Sequence, residues 1–359
     1  MPKKNEKENR AVLTLVFLLL VLVVVVFIKL SPFFGIFFNK EIELKKENDR
    51  INVLLLGIGG GTHDGPNLTD TIIFASIDSA QNKVALVSIP RDLWIKDLRS
   101  RINVAYAKGG ISMAKAASYK AVGQPIDYVL RIDFEGFEKA VDLLGGVDVN
   151  VPSTFDDFEY PIAGKENDPC GRMEEELETL ATASSQLEAF PCRYMRIHFD
   201  KGLQHMDGET ALQYVRSRHA EGSDGTDFAR SKRQVEVVGA VKDKVFSVET
   251  LLNPAKVFTL YSVVKNSIDT NIKEEEFDDF IKLANTMKDA SIQSVVLDYG
   301  DEKQKKPGLL VNPPISKDYG NQWVLIPRIG NGDFSEIQKY VECEIKIGNC
   351  PISEEFTAK

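Results

Sequence analysis

Apolar residues follow three different rhythms along this 359-residue chain. The first is a continuous run over residues 11–30. The second is a series of short apolar runs, each bounded by glycine, proline or polar turns, at residues 51–57, 71–77, 84–89, 128–132 and 147–151. Runs of that length and setting predict buried strands. The third is helical: residues 104–122 are alanine-rich, and residues 134–144 stop at Gly145-Gly146. Helical patterning returns over 207–246, and residues 254–287 predict two or three further helices. Residues 294–299, 308–310 and 323–325 are short strand candidates. Strands alternating with helices predict an α/β fold in α-β-α layers.

One segment breaks the alternation. Residues 153–200 begin with the polar, loop-like stretch Phe155-Asp156-Asp157-Phe158-Glu159-Tyr160-Pro161 and continue into an acidic helical stretch, 173–189. It reads as an insertion clamped by its own cysteines. Cys170 and Cys192 bracket one segment and Cys343 and Cys350 a shorter one, so two local disulfides are expected, with four free thiols as the alternative.

The continuous run carries no charge from Ala11 to Ile28, and eighteen residues of helix rise roughly 27 Å, close to the hydrocarbon thickness of a bilayer. It passes into Lys29-Leu30-Ser31-Pro32 without a small-residue cleavage site, which favours an uncleaved signal anchor over a signal peptide. Lys3, Lys4, Lys7 and Arg10 precede it and place the N-terminus in the cytoplasm. The expected organisation is a cytoplasmic segment 1–10, a transmembrane helix 11–30, a tether 31–50, an external domain 51–290 and a C-terminal extension 291–359 packed on it.

A formal net charge of −9 argues against nucleic-acid binding. Against that acidic background stands one basic block, Arg216-Ser217-Arg218-His219, followed by Asp227-Phe228-Ala229-Arg230-Ser231-Lys232-Arg233-Gln234. Arginine presents a planar fork of donors that fits phosphate oxygens in pairs, so the block points to a polyanionic ligand. In an extended segment Arg216 and Arg218 would project to one side, and in a helix Arg230 and Gln234 would share a face. A salt-bridged surface is the alternative. Other candidate chemistry sits at strand ends. The glycine loop 57–65 would cradle a phosphate or be a plain surface loop; Asp70 would ligate a metal or cap a turn. Arg91 and Asp92 follow Pro90, with a surface ion pair as the alternative, while Asn103 and Tyr106 open the alanine-rich helix as caps, packing residues or ligands.

Together these motifs resemble the LytR-CpsA-Psr family of bacterial cell-wall proteins. The resemblance runs through Asn52–Gly57, Thr69-Asp70-Thr71, Ser88-Ile89-Pro90-Arg91-Asp92, Ile102-Asn103, Asp133–Phe137, the stretch from Val141 to Val149, Met206-Asp207-Gly208-Glu209 and the arginine block. It implies a single-pass enzyme with a central mixed sheet between helices and a hydrophobic groove for a lipid tail. The implied activity is Mg²⁺- (or Mn²⁺-) dependent transfer of a glycopolymer from a polyprenyl-pyrophosphate carrier to peptidoglycan, outside the membrane. Arg91, Arg216, Arg218, Arg230 and Gln234 would grip the pyrophosphate, Asp70 would hold the metal, and Asp92 and Asp227 are candidate general bases. The family's second metal aspartate is replaced by Gly59, and an arginine by Leu68, so Asp64 becomes a candidate second ligand. A non-catalytic lipid binder or scaffold, and a pyrophosphate hydrolase, are the competing readings.

Overall fold

The computed structural model describes residues 43–46, 49–61, 65–181, 183, 185–245, 259–260, 263, 265–287, 289–301 and 306–352. The apolar run 11–30, and with it the expected anchor, lies outside these residues; among them no helix is long and apolar enough to cross a membrane.

Along the chain, β1 (Ile51–Ile58), β2 (Thr69–Asp78) and β3 (Lys83–Ser88) lead into α1 (Val104–Val122), β4 (Tyr128–Asp133) and α2 (Phe134–Leu144). Then come β5 (Val147–Val151), β6 (Phe155–Pro161), β7 (Tyr194–Phe199), β8 (Gly202–Met206), α3 (Gly208–Arg216) and α4 (Asp227–Val245). The last elements are β9 (Ile268–Thr270), β10 (Ser291–Val296) and α5 (Ser335–Lys346). The central sheet has the order β9-β4-β1-β2-β3-β10. It is mixed: β1 pairs antiparallel with β2 and parallel with β4, and β10 runs parallel to β3.

Alternation along β1 decides how the sheet is covered. Leu54 and Leu56 join Ile72, Phe74 and Val87 in a core with Ala114, Ala117 and Ala121 of α1 and Ile337 and Val341 of α5. Ile51 and Val53 point the other way and are also buried, so the strand is covered on both faces. The alanines of α1 let that helix lie close on the sheet. The same helix is broken at Gly109-Gly110, where Gly110 takes a φ of 58°.

A second core joins β5 to β8 with α2, α3 and α4, through Val147, Val149, Phe199, Met206 and Tyr214. Here the loop-like reading of 155–161 is corrected. These residues form a strand paired with β7, and Phe155 stacks on Phe199 at 5.2 Å. The period-two pattern was hidden because the buried Asp157 takes an inward position and Phe158 an exposed one, and the register shifts between Asp157 and Tyr160. The predicted acidic helix is present as two short pieces, Glu174–Ala181 and Gln186–Ala189. Both disulfides form, Cys170–Cys192 and Cys343–Cys350, with S–S lengths of 2.01 and 1.98 Å.

Two further readings change near the end of the chain. Ile268–Thr270, within a stretch expected to be helical, is an edge strand, its Thr270 hydroxyl donating to Val129 O at 2.6 Å. Residues 291–346 are no added extension, since β10 is the opposite edge strand and α5 lies in the main core. The described residues within 45–272 and 287–352 form this compact unit, while those of a second, small unit are 43–44 and 273–286. In that unit Glu43 N donates to Asp279 Oδ2 at 3.2 Å, and Lys282 pairs with Asp279 at 2.9 Å.

Gly208 shows how tightly α2 and α3 meet: a Cβ there would come within 2.3 Å of the Glu138 carbonyl oxygen. Gly208→Ala is expected to destabilise the unit by roughly 1–3 kcal/mol, the usual cost of overpacking. Urea unfolding followed by circular dichroism checks this, and an unchanged midpoint would show that the helices can separate freely.

Candidate functional site at one edge of the sheet

The sheet register gathers the chemistry. Ile58 at the end of β1 lies opposite Thr69 at the start of β2 and Asp133 at the end of β4. Ser88, ending β3, lies opposite Ile73 of β2 and Val296, the end of β10. The segments that follow β1, β3, β4 and β10, and the one that precedes β2, therefore emerge at a single edge. Ligand sites form at such edges because loops there are released from the ladder while the strands fix their origins.

A cavity of about 210 Å³ opens at this edge, and Asp70, Arg91, Asp92, Arg230 and Gln234 line it. Five of the residues singled out from sequence thus meet in one place. Arg91 Nη1 bonds Asp70 Oδ1, and its Nε faces Asp92 Oδ2 at 3.4 Å. Asp92 is 5% exposed and also accepts from Arg101 Nη1 at 2.6 Å. With both oxygens facing guanidinium groups, Asp92 orients Arg91 and is a poor candidate for proton abstraction. The backbone is held as firmly: Asn103 N donates to Arg91 O at 3.2 Å, and Leu325 N to Asp92 O at 3.0 Å. Arg230 and Gln234 share a face of α4, as the i, i+4 spacing predicts, and are 6% and 8% exposed.

Arg216 and Arg218 are not among the residues lining this cavity. Nor do they sit in a strand: Arg216 is the last residue of α3, and Ser217 turns the chain out of the helix with ψ 130°. Ser217 is fully buried between them. Arg216 lies over the Phe134 ring at 4.5 Å from its centroid, and its Nη1 donates to the Tyr160 hydroxyl at 3.2 Å. Burial raises the Tyr160 pKa, so the hydroxyl stays neutral beside the cation.

Two buried charges shape this arginine loop. Asp157, 1% exposed on β6, accepts at Oδ2 from the Ser217 hydroxyl at 2.7 Å, from Arg218 N at 3.0 Å and from His219 N at 3.1 Å. Arg233, 3% exposed, donates to three carbonyls, of Tyr214 at 2.9 Å, Asp224 at 2.8 Å and Ser217 at 2.5 Å. The fourth arginine of the block is therefore a brace. Its contact at Asp224 also fixes the neighbouring Gly225 and Thr226, which form part of the cavity wall.

The other candidates divide. Asp64 and the Asp227 side chain lie outside what the structure describes. In the glycine loop, Gly60 N donates to Pro66 O at 2.9 Å, and a Cβ on Gly60 would meet Asp133 Cβ at 2.8 Å. That amide closes the loop on itself and is not presented to a phosphate. Tyr106 is structural: its hydroxyl donates to Asp269 at 2.7 Å and accepts from Arg131 at 3.0 Å. Asn103 is fully buried, and among the described residues neither of its amide atoms finds a hydrogen-bond partner. Sequence reasoning passed over Asp157, Arg101, Tyr160, Tyr299 and Trp323. Of these only Asp157 had a signal, the inward period of Phe155 and Asp157 along an unrecognised strand.

As a metal site the described donor set is sparse. Asp70 is partly exposed in the cavity and Asp92 is held by two arginines, so the described residues offer essentially one carboxylate there. The grouping of Asp168 with Cys170 and Cys192 is no alternative, because those sulfurs are bonded to each other. One carboxylate fits a hard cation whose remaining ligands are phosphate oxygens and water, the usual pattern for Mg²⁺.

A model of the LytR_cpsA_psr family matches residues 37–310. The chain belongs to this family. Among its relatives in the family, the polyisoprenyl-teichoic acid–peptidoglycan teichoic acid transferase TagV of Bacillus subtilis (strain 168) is 27% identical over 245 residues, covering 66% of this chain and 53% of TagV. TagU of Bacillus mycoides (strain KBAB4), of the same named activity, is 28% identical over 240 residues, covering 66% of this chain and 65% of TagU. The match thus spans between about half and two thirds of these relatives. The crystal structure of B. subtilis TagV superposes with a TM-score of 0.55 at 23% identity, over 84% of this chain and 98% of that one. TagT bound to LIIa-WTA gives 0.53 at 21%, over 85% and 95%. The family fold, a central mixed sheet among helices, is the one described above.

Replacing Asp157 by Asn sets an amide N–H₂ among three donors that now share one carboxylate oxygen. The variant is expected to lose on the order of 3 kcal/mol and to loosen the Arg216–Ala220 segment. Hydrogen exchange of residues 216–221 reads this directly; protection equal to wild type would remove Asp157 from its assigned role.

Proposed function

We propose that this chain is a glycopolymer transferase that moves a polymer from a polyprenyl-pyrophosphate carrier to peptidoglycan. The observation that carries the reading is the cavity in which Asp70, Arg91, Arg230 and Gln234 converge, in a chain whose relatives TagV and TagU are named teichoic acid transferases. TagT, of the same fold, binds LIIa-WTA. Residues 11–30 anchor the protein in the membrane in this reading, so that its active unit meets lipid-linked donors outside the cell.

The chemistry follows from the charges. A sugar hydroxyl of the acceptor attacks the phosphorus that bears the polymer. A new P–O bond forms, the bond to the lipid-side phosphate breaks, and polyprenyl phosphate departs with the electron pair. Such a transfer needs charge stabilisation and alignment more than covalent help from the protein. Arg91 and Arg230 bind the pyrophosphate oxygens, Gln234 orients them, and Arg216 and Arg218 add cationic surface for the anionic substrate outside the cavity. Asp70 would hold Mg²⁺ or Mn²⁺, which supplies Lewis-acid neutralisation of the pyrophosphate charge. Asp227, directly after the cavity-lining Thr226 in sequence, takes the hydroxyl proton. Asp92 keeps Arg91 in place.

Asp70→Ala is expected to lower transfer at least about a hundredfold while leaving lipid binding largely intact. The assay combines the full-length protein in detergent, a polyprenyl-pyrophosphate-linked sugar and a peptidoglycan oligomer, with or without Mg²⁺. Mass spectrometry then looks for the phosphodiester-linked product. Free sugar phosphate instead of product would favour hydrolysis, tight lipid binding without product would favour a scaffold, and unimpaired transfer by the variant would exclude the Asp70 role.

A further inference from the structure

The cavity that holds the charged residues also has an aromatic rim. Tyr299 and Trp323 line it together with Arg91 and Arg230, and they are 48% and 40% exposed. A single exposed aromatic is ordinary on a protein surface, but two that line one small cavity beside two arginines give a ligand an amphipathic contact area. Neither stands on a loose segment. Leu297 and Asp298 just before Tyr299 are buried, and Asp298 O accepts from Leu309 N at 2.8 Å and Leu310 N at 2.9 Å. After Trp323 come buried Val324 and Leu325; Leu325 N donates to Asp92 O, and its own carbonyl accepts from Trp94 N at 2.8 Å. Trp323 is thereby tied to the backbone that carries Arg91. It also lies beyond residues 37–310, the part matched by the family model.

We propose that Tyr299 and Trp323 form a stacking surface for a pyranose ring, and that the ring is the donor sugar joined directly to the pyrophosphate. Cations and exposed aromatic side chains in one small cavity suit a ligand that carries both an anionic and a C–H-rich face. The electron-rich face of an aromatic ring attracts the polarised C–H groups of a sugar. The donor sugar is one bond from its phosphate, so it must lie beside any arginine that grips that phosphate. This inference rests on the phosphate-binding role given to the cavity.

The test measures binding by calorimetry to the full-length protein in detergent with three probes: inorganic pyrophosphate, N-acetylglucosamine 1-phosphate and a peptidoglycan disaccharide. Trp323→Ala and Tyr299→Ala should each weaken the sugar phosphate about tenfold, leave pyrophosphate within twofold, and leave the disaccharide unchanged. Trp323→Phe should restore most of the loss. Because Trp94, the other tryptophan, is 5% exposed, sugar phosphate should also quench the emission of Trp323, and pyrophosphate should not. Unchanged sugar-phosphate affinity in both alanine variants overturns the proposal while the phosphate site stands. Weakened disaccharide binding instead would assign the surface to the acceptor and overturn the donor assignment. If wild type binds neither pyrophosphate nor sugar phosphate, the phosphate-site reading fails, and the stacking surface fails with it.

Discussion

The arginine loop is held by two opposite charges removed from water, and the surrounding unit is arranged to keep them satisfied. A buried guanidinium or carboxylate without partners costs several kcal/mol or more. Arg233 avoids this by filling its fork with backbone carbonyls, and Asp157 by collecting an N–H from each of two successive residues and a hydroxyl. One takes the acceptors of the loop and the other takes its donors. Desolvation lowers the Arg233 pKa, and the nearby carboxylates, Asp157 among them, work against that shift. The loop has little freedom left to collapse, so the backbone that carries Arg216 and Arg218 is fixed, with Arg216 held against Phe134 and Tyr160 and Arg218 exposed.

This division of labour explains which parts of the site were legible in the sequence. Arg91, Arg230 and Gln234 were visible because their types and spacing suit an anionic ligand, and spacing on a helix maps directly onto a face. Arg233 looked identical to Arg230 from composition alone. The difference is three residues of helical rotation, about 300°, and which direction faces the core is set by Phe155 and Tyr214 on distant elements. Likewise Asp156 and Asp157 are adjacent and of one type. Asp156 meets Arg196 and His198 on the surface, and its neighbour fixes the arginine loop from within. Only strand register separates them, and register is a tertiary property.

The fold was more legible than the site because its determinants are local. Residues 134–144 were bounded by their own signals, with Asp133 accepting from Gly136 N at the start and Gly145 left-handed at the end. Residues 147–151 alternate cleanly between buried and exposed positions. Residues 268–270 have no such signal. Three residues cannot display a period, and Ile268–Thr270 is a strand because β4 offers an unpaired edge that its backbone completes. The same holds for the site edge as a whole. Each strand end was readable, yet their convergence depends on β1 running parallel to β4 and antiparallel to β2.

Gly59 bears on how a single carboxylate would suffice. A glycine at position 59 offers a cation no carboxylate, so a metal held at Asp70 would draw its remaining ligands from a substrate's own oxygens and water. Asp70 and Arg91 neutralise one another in the structure as it stands. In the proposed reaction an entering pyrophosphate would compete for the guanidinium, which suits phosphate at least as well as carboxylate, and would free Asp70 to hold a cation. Cation and phosphate would then enter together, each removing the partner that had compensated the other's ligand. The ion pair with Asp92 keeps Arg91 from swinging away during that exchange, because Asp92 is itself anchored through Arg101 and through the hydrogen bond from Leu325. On this reading a glycine at position 59 is compatible with catalysis, since the substrate would supply most of the coordination and the protein its orientation.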